Sequence, residues 1–211
     1  WGSIVNNENR LRQREENNFF WAAKNYLTFD KSFGKHNLIT MLGTEAQKGT
    51  YNGSDITVFN LPSNEIQVLS QGEPLGLPGA WQGGNALLSY FGRFNYNFNE
   101  KYLATFTYRG DASSNFGPNN KWAYFPSGSF AWRVGQEDFL KDSKFMTNLK
   151  LRLGYGLSGN QNIEAGLFEP LMQTVATPFG PGYRPIRIPN PRLGWETTTQ
   201  TNYGVDFSIF G

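Results

Sequence analysis

Histidine and cysteine, which supply many catalytic and metal-binding sites, are nearly absent from this sequence. The chain has a single histidine, His36, which lies in a predicted turn, and it has no cysteine. We therefore expect no histidine-based catalytic triad, no site with several histidine ligands and no thiolate chemistry. Two pairs of adjacent carboxylates, Glu15 with Glu16 and Glu137 with Asp138, lack the separation of a glycosidase pair and are expected to be solvated surface groups. His36 is expected to be a plain turn residue. We therefore expect no enzyme, no metal site and no bound cofactor.

Short sequence motifs lead to the same expectation. The tripeptide from Arg109 to Asp111 could be an adhesion signal or the end of a strand, and the run from Asn52 to Ser54 could be a glycosylation acceptor or an ordinary turn. Gly154-x-Gly156 is not a dinucleotide loop, because no helix is predicted after it. The structural alternative is favoured in each case.

Composition favours β structure. The 211 residues are 16% aromatic and include 24 glycines and 11 prolines, and these types suit strands and turns respectively. The net charge of +2 comes from well-mixed side chains, which does not indicate a nucleic-acid partner. No apolar run is long enough for a spanning helix. The mean hydropathy of -0.51 does not argue against a transmembrane barrel, whose strands are apolar on one face only.

Alternation of apolar and polar side chains predicts about seven strands, and it is clearest from Leu87 to Phe98 and from Tyr102 to Asp111. An apolar and aromatic face opposite a polar, charged face is the pattern expected for lipid on one side and water on the other. The predicted strands cover approximately residues 19–31, 36–47, 86–98, 101–111, 121–134, 148–158 and 195–209.

Each face of the predicted sheet has its own set of candidate residues. The candidate lumen-facing polar residues are Arg93, Asn95, Arg109, Asp111, Lys150, Arg152, Gln200 and Asn202. The candidate lipid-facing residues are Leu88, Tyr90, Phe94, Tyr96, Phe106, Tyr108, Leu151, Leu153, Tyr155, Tyr203, Val205 and Phe207. Tyrosines and tryptophans near the predicted strand ends, such as Trp122, Tyr124, Trp132 and Trp195, are candidates for interfacial girdles.

Connections between the predicted strands alternate between shorter and longer. Short ones cover residues 32–36 and 99–100, and long ones cover 48–84 and 159–193. This alternation matches the short periplasmic turns and longer external loops of outer-membrane barrels. Residues 1–18 are predicted as a surface loop, and the charged run from Arg10 to Glu16 is equally compatible with the start of a solvated helix.

Several motifs resemble one family. The stretch from Arg109 to Trp132 contains Arg-Gly-Asp-Ala-Ser-Ser-Asn-Phe-Gly, then Lys121, then Phe-Pro-Ser-Gly-Ser-Phe-Ala-Trp. It resembles the barrel of SusC/RagA-type TonB-dependent outer-membrane transporters. Further stretches resemble the same family in the same order, at residues 27–36, at 149–161 and from Asn190 to Glu196.

This resemblance implies an all-β fold, with residues 1–211 forming part of an antiparallel transmembrane β-barrel of about 22 strands. The plug domain is expected to be absent, so that the chain is a piece of a longer protein. The implied function is uptake of oligosaccharides or peptides across the bacterial outer membrane of Bacteroidota. The implied partners are the lipid bilayer, a SusD-like lipoprotein lid and the TonB complex, which acts through the missing plug.

Aromatic residues in the long connections are candidate contacts for a ligand or partner, with internal packing of the loops as the alternative. They are Trp81, Phe168, Phe179 and Tyr183. The alternative for the whole chain is a secreted soluble β-sandwich that binds carbohydrate, in which the face carrying Leu88, Tyr90, Phe94 and Tyr96 would meet a second sheet.

Overall fold

The computed structural model describes residues 9–65, 67–140, 142–143 and 145–209. Within these ranges the chain forms strands joined by turns, with 3-10 helices at Leu69–Gln71 and Val134–Gln136. The strands are β1 (Arg10–Phe33), β2 (His36–Phe59), β3 (Glu73–Pro74), β4 (Gly79–Phe98), β5 (Tyr102–Ser113), β6 (Trp122–Trp132), β7 (Met146–Asn160), β8 (Leu171–Thr177), β9 (Gly180–Arg187) and β10 (Glu196–Ile209).

One sheet contains all seven of the long strands, in the order β1-β2-β4-β5-β6-β7-β10, with the short β3 paired to β2. Strands β8 and β9 form a separate antiparallel hairpin. The fold is therefore all-β and antiparallel, as the alternation predicted, and each predicted strand corresponds to one long strand of the sheet.

Three strands are longer than predicted. β1 begins at Arg10, β2 continues to Phe59 and β4 begins at Gly79. The prediction of a loop or a solvated helix over residues 10–18 is wrong for the described residues, as is a connection over the whole of 48–84. The cause is that these strand ends carry polar residues on both faces, and this removes the alternation on which the prediction depended.

The described residues form two compact units. The first contains residues 9–21 and 48–85, and the second contains residues 22–47 and 86–209. Few apolar side chains are buried in either. Val58 is buried in the first unit, and the second buries Phe116, Phe125 and Val134. The buried apolar core of the described residues is therefore small.

Apolar residues of β4 show why the sandwich alternative is wrong. Leu88, Tyr90 and Phe94 are exposed, and no second sheet covers them within the described part of the chain. An apolar face of this kind is the pattern of a transmembrane β-strand, and its contact with lipid stays a prediction.

Candidate functional site

Strand register places all eight predicted polar residues on one face of the second unit. Arg93 lies opposite Thr107, Asp111 opposite Ser89 and Lys150 opposite Asp206. Neighbouring strands continue the same polar rows, because Thr107 pairs with Ser127 and Ser127 with Gly156, which pairs with Gln200. This surface is called the polar face below. Its assignment to the barrel lumen stays a prediction.

An ion-pair network on the polar face is centred on Arg109. Its Nε donates to both carboxylate oxygens of Asp111, at 2.8 and 2.9 Å, and its Nη2 donates to Ser89 Oγ at 2.8 Å. Glu45 Oε2 lies 3.4 Å from Arg109 Nη2 and 3.6 Å from Lys24 Nζ. Two cations thus neutralise two anions, which is how charges at buried positions such as Asp111 are tolerated.

A phenylalanine ring lies within this network. The guanidinium of Arg109 and the ammonium of Lys24 are 5.7 and 5.8 Å from the centroid of Phe91, within cation–π range. The ring lies directly over Gly43, where any Cβ would overlap it. Alternation predicted that Arg109 and Asp111 lie on the polar face. It did not predict that Lys24 and Glu45 contact them, because these residues are on strands far apart in the sequence. The network can bind polar groups by hydrogen bonds.

Other predicted polar residues make local pairs. Thr105 donates to Asn95 Oδ1 at 2.9 Å, and Arg152 Nη2 lies 2.7 Å from Asp206 Oδ1. Gln200 donates to Asn202 at 3.5 Å. Several side chains of the polar face therefore hydrogen-bond or ion-pair with one another.

The opposite face carries the twelve residues predicted to contact lipid, and register places all of them together. Aromatic rings cluster towards both ends of this apolar face. Tyr90 stacks on Trp122 at one end, with centroids 6.0 Å apart, and Tyr102 stacks on Trp132 at the other, at 6.3 Å.

Spacing of the two aromatic clusters fits a membrane. Trp122 and Trp132 are about ten residues apart on β6, which corresponds to about 33 Å along a strand. A tilt of about 40° reduces this to a height of about 25 Å, the height of the apolar band between the aromatic girdles of transmembrane barrels.

His36 and Trp195 make contacts that the sequence did not predict, and His36 begins β2 as the predicted strand 36–47 has it. His36 is the first residue of β2 rather than a turn residue, and its Nδ1 lies 2.7 Å from Tyr96 Oη while its ring stacks on Phe33. Trp195 is not part of a girdle but packs into a loop cluster. Both positions depend on contacts across strands, which alternation does not report.

That loop cluster is built on the family-like stretch after β5. Phe116 is fully buried and lies 5.3 Å from the ring of Trp195, which in turn meets Phe125 edge to face at 5.4 Å. The Phe125 ring lies directly over Gly159, where a Cβ would overlap it. The cluster thus joins the connection between β5 and β6 to both ends of the connection between β7 and β10.

Hydrogen bonds complete this clamp. Asn115 Nδ2 donates to the carbonyl of Gln161 at 3.2 Å, and Asn120 Nδ2 donates to the carbonyl of Pro191 at 3.1 Å. Trp195 Nε1 donates to the carbonyl of Lys121 at 2.9 Å. The motif residues therefore hold a long connection in place by binding its backbone at both ends.

The clamped connection presents an exposed hairpin, formed by β8 and β9. Phe179 at its turn is fully exposed, and Tyr183 is 70% exposed. Phe168, in contrast, packs against Gly117 of the clamp, and Trp81 lies in β4 beneath the guanidinium of Arg14, 4.7 Å from it. The four predicted loop contacts thus divide into two exposed and two packed residues, and Trp81 belongs to a strand rather than a loop.

The carboxylate of Glu137 forms a hydrogen-bond cluster where β5 begins and β6 ends. Glu137 accepts hydrogen bonds from Tyr102 Oη at 2.7 Å, Lys101 Nζ at 2.9 Å and Trp132 Nε1 at 3.0 Å. These donors, with Tyr102 the largest contributor, lower the pKa of Glu137 to about 2. The group is structural, since it fastens the connection after β6 to the turn before β5.

Metal-binding clusters and membrane-spanning helices are both missing from the described residues. No group of three or more histidine, aspartate or glutamate residues there is arranged to hold a metal ion. None of the helices found there is long and apolar enough to cross a membrane.

Comparison with known proteins gives consistent matches. The family model for the TonB dependent receptor-like β-barrel matches residues 2–211. TonB-dependent receptor P3 of Formosa agariphila is 37% identical over 215 residues, which cover 99% of this chain and 21% of the relative. TonB-dependent receptor SusC of Bacteroides thetaiotaomicron is 36% identical over 196 residues, which cover 87% of this chain and 19% of the relative.

Solved structures match in the same way. The RagAB peptide transporter superposes with a TM-score of 0.87 at 29% identity, covering 94% of this chain and 23% of the matched chain. The RagAB peptide importer in its open-open state gives a TM-score of 0.86. The chain spans about a fifth of the length of the curated relatives that it matches.

Proposed function

The chain belongs to the TonB-dependent receptor-like β-barrel family, and on that basis we propose that it is part of an outer-membrane importer of the SusC/RagA type. The imported solutes are oligosaccharides or peptides. A SusD-like surface lipoprotein covers the external end, and the TonB complex supplies energy through a plug domain. The observation that carries this proposal is the pair of opposed faces, with aromatic clusters about 25 Å apart on the apolar one.

Import in this proposal needs no bond chemistry from the chain. The polar face forms a section of the wall past which a hydrated solute moves, and part of its charge is paired within the face. The apolar face holds the wall in lipid. Transport therefore depends on the plug and lid as much as on the residues described here.

We also propose that the β8–β9 hairpin contacts the lid. Its exposed rings, Phe179 and Tyr183, are held out on a clamped connection, and exposed aromatic side chains are common anchors of protein interfaces. Replacing both by alanine should reduce the amount of lipoprotein that copurifies with the full-length receptor. Unchanged copurification would refute contact between the hairpin and the lid, but it would not contradict the proposed barrel.

Substitution of neighbouring residues on opposite faces tests the membrane assignment. Phe106 lies near mid-height on the apolar face, and Thr105 lies beside it on the polar face. Lysine at Phe106 should cost about 2–4 kcal/mol in a lipid environment and reduce the folded receptor in the outer membrane. Lysine at Thr105 should be tolerated, because that side chain is next to neutral polar groups. Equal effects of the two substitutions would contradict the assignment.

Uptake by living cells tests the import step. Cells carrying the full-length receptor should take up labelled oligosaccharides or peptides, and deletion of the TonB gene should abolish that uptake while leaving surface binding intact. Uptake that persists without TonB would refute the proposed mechanism.

A further inference from the structure

A groove in the second unit opens onto the apolar face, beside the stacked rings of Tyr90 and Trp122. It has a volume of about 880 Å³, which is within the size range of small-molecule sites. Its lining is mostly apolar and aromatic, with an amide from Asn25 and an aliphatic hydroxyl from Thr44. We propose that this groove binds an acyl chain of lipid A, the glycolipid of the outer leaflet, at the amide that joins the chain to the sugar.

Stacked rings form one wall of the groove. Tyr90 stacks on Trp122 with centroids 6.0 Å apart, Trp122 stacks on Tyr124 at 6.4 Å, and Tyr124 stacks on Tyr108 at 5.9 Å. Each ring residue nevertheless keeps between 44% and 55% of its surface exposed. A hydrocarbon chain gains most from such a wall, because it can contact one ring after another along its length.

Two glycines make room between these rings and the next strands. In the register of β4 with β5, Gly92 lies opposite Tyr108 and Gly110 lies opposite Tyr90. A Cβ at Gly110 would already lie 3.1 Å from the ring of Tyr124. Because neither glycine has a side chain, the surface is lower there than at the apolar residues around it. The depth of the groove therefore depends on these two positions.

Asn25 and Thr44 are the groups that orient a ligand in the groove. Both are exposed, and neither side chain hydrogen-bonds to another residue in the described part of the chain. An amide in apolar surroundings is costly without a hydrogen-bond partner, and Asn25 needs an acceptor for its N–H groups and a donor for its carbonyl. The amide linkage of an acyl chain offers both, whereas an ester linkage offers acceptors only. An amide-linked chain therefore suits the groove better than an ester-linked one.

The end of the sheet that carries the groove indicates which leaflet supplies the lipid. The connection between β4 and β5 covers residues 99–101, and the connection between β5 and β6, which ends next to Trp122, covers residues 114–121. Longer connections are external in outer-membrane barrels, so the groove lies towards the outer leaflet. Lipid A, which has amide-linked acyl chains, is the bulk lipid there. This inference rests on the proposed outer-membrane function.

The experiment uses the full-length receptor purified in mild detergent. The lipid that copurifies is extracted and identified by mass, which distinguishes lipid A from a glycerophospholipid and from the acylated anchor of a lipoprotein. The receptor is then stripped of lipid and titrated with lipid A or with an ester-linked diacyl phospholipid, and native mass spectrometry counts the bound molecules. We expect one lipid A to copurify with each receptor and to bind about tenfold more tightly than the phospholipid.

Variants at the groove give the decisive comparison. Gly92→Leu places a side chain in the groove and should weaken lipid A binding about tenfold or more. Gly128→Leu adds the same side chain to the apolar face outside the groove, where the nearest atom would lie 3.7 Å from the Cβ, and should leave binding unchanged. Asn25→Leu removes the amide without filling the groove, so it should abolish the preference for lipid A over the phospholipid. Yield of folded receptor is measured for all three.

Outcomes separate this inference from the import proposal. Copurification of a phospholipid or a lipoprotein anchor instead of lipid A, equal binding of the two titrated lipids, or unchanged binding in Gly92→Leu would overturn the lipid A site. A receptor dimer that releases lipid as it forms would also overturn it, because a second receptor would then cover the groove. TonB-dependent uptake alongside such a result would leave the import proposal standing. Loss of TonB dependence with intact, Gly92-dependent lipid A binding would overturn import and keep the site.

Discussion

Replacing Phe116 by alanine should release the connection between β7 and β10 from its clamp. Phe116 is fully buried between the family-like stretch and Trp195, and truncation of a buried phenylalanine costs about 3–5 kcal/mol through lost burial and the cavity left behind. Sheet pairing does not depend on this side chain, so we expect the cost to fall on local opening. A loss of about 3 kcal/mol raises the open fraction by about two orders of magnitude.

Hydrogen exchange measures that opening directly. Backbone amides of Ile163, Glu169 and Leu193 donate to carbonyls within the clamped connection, and exchange of such amides follows the free energy of local opening. In the purified full-length receptor, peptides from residues 161–170 and 188–195 should exchange about 100-fold faster in Phe116→Ala. Peptides from β5 and β6 should change little.

A matched control separates burial from simple loss of a ring. Phe179→Ala removes the same side chain from a fully exposed position, so it should leave exchange at the clamp unchanged. The reasoning is refuted if the two variants exchange alike. It is also refuted if Phe116→Ala accelerates exchange throughout the sheet, since the cluster would then support the strands rather than the connection.

Three other substitutions test the remaining contacts. Glu137→Gln should lower thermal stability at pH 7, and because the native pKa is about 2, the carboxylate's contribution is present above about pH 4.3 and lost as the pH falls towards 2. A stability gap that persists at pH 2 would contradict this. Arg109→Met should cost about 1–3 kcal/mol by leaving Asp111 without its main partner, and Arg109→Met/Asp111→Leu should recover part of that loss in urea unfolding. No recovery would mean that the pair does not act as a unit. Gly159→Ala should lower the melting temperature through overlap with the facing ring, whereas Gly128→Ala, whose new Cβ would meet its nearest atom at 3.7 Å, should not. Equal effects would show that the overlap is relieved at no cost.

Alternation was a good guide wherever lipid and water would lie on opposite sides of a strand. From Leu88 to Phe98 one face is apolar or aromatic apart from Gly92 and the other is polar apart from Phe91, and the register of β4 with β5 agrees with this pattern. The membership of both faces could therefore be predicted residue by residue. Partners across strands could not, since the contact between Arg109 and Glu45 joins residues far apart in sequence.

Strand ends were predicted poorly for a physical reason. From Arg10 to Asn18 charged and amide side chains occupy both faces, as is expected where a strand has water on each side. Glycines such as Gly53 and Gly83 resemble turn signals, but the structure places them within strands, beneath the rings of Trp81 and Tyr51. A glycine that accommodates a neighbour's ring has the same sequence signal as a glycine in a turn.

The prediction of a loop over residues 159–193 was wrong where β8 and β9 form, and the cause is the high density of proline. That density predicted a loop, yet β9 contains Pro181 and Pro185. A proline removes one ladder donor and is tolerated in a strand that has a free edge, which a two-stranded hairpin provides. The clamp was not foreseeable for another reason: Phe116, Phe125 and Trp195 come together only after the sheet has formed.

Pairs of glycine and aromatic ring have a consequence for how this barrel wall can vary in evolution. At Gly43 with Phe91 and at Gly159 with Phe125, the ring occupies the volume that a side chain on the glycine would need. Neither member can enlarge alone, but a smaller residue in place of the ring would free the glycine to change. The two positions of each pair should therefore covary among relatives, so that covariation between them would report strand neighbours even where hydrophobic alternation is absent.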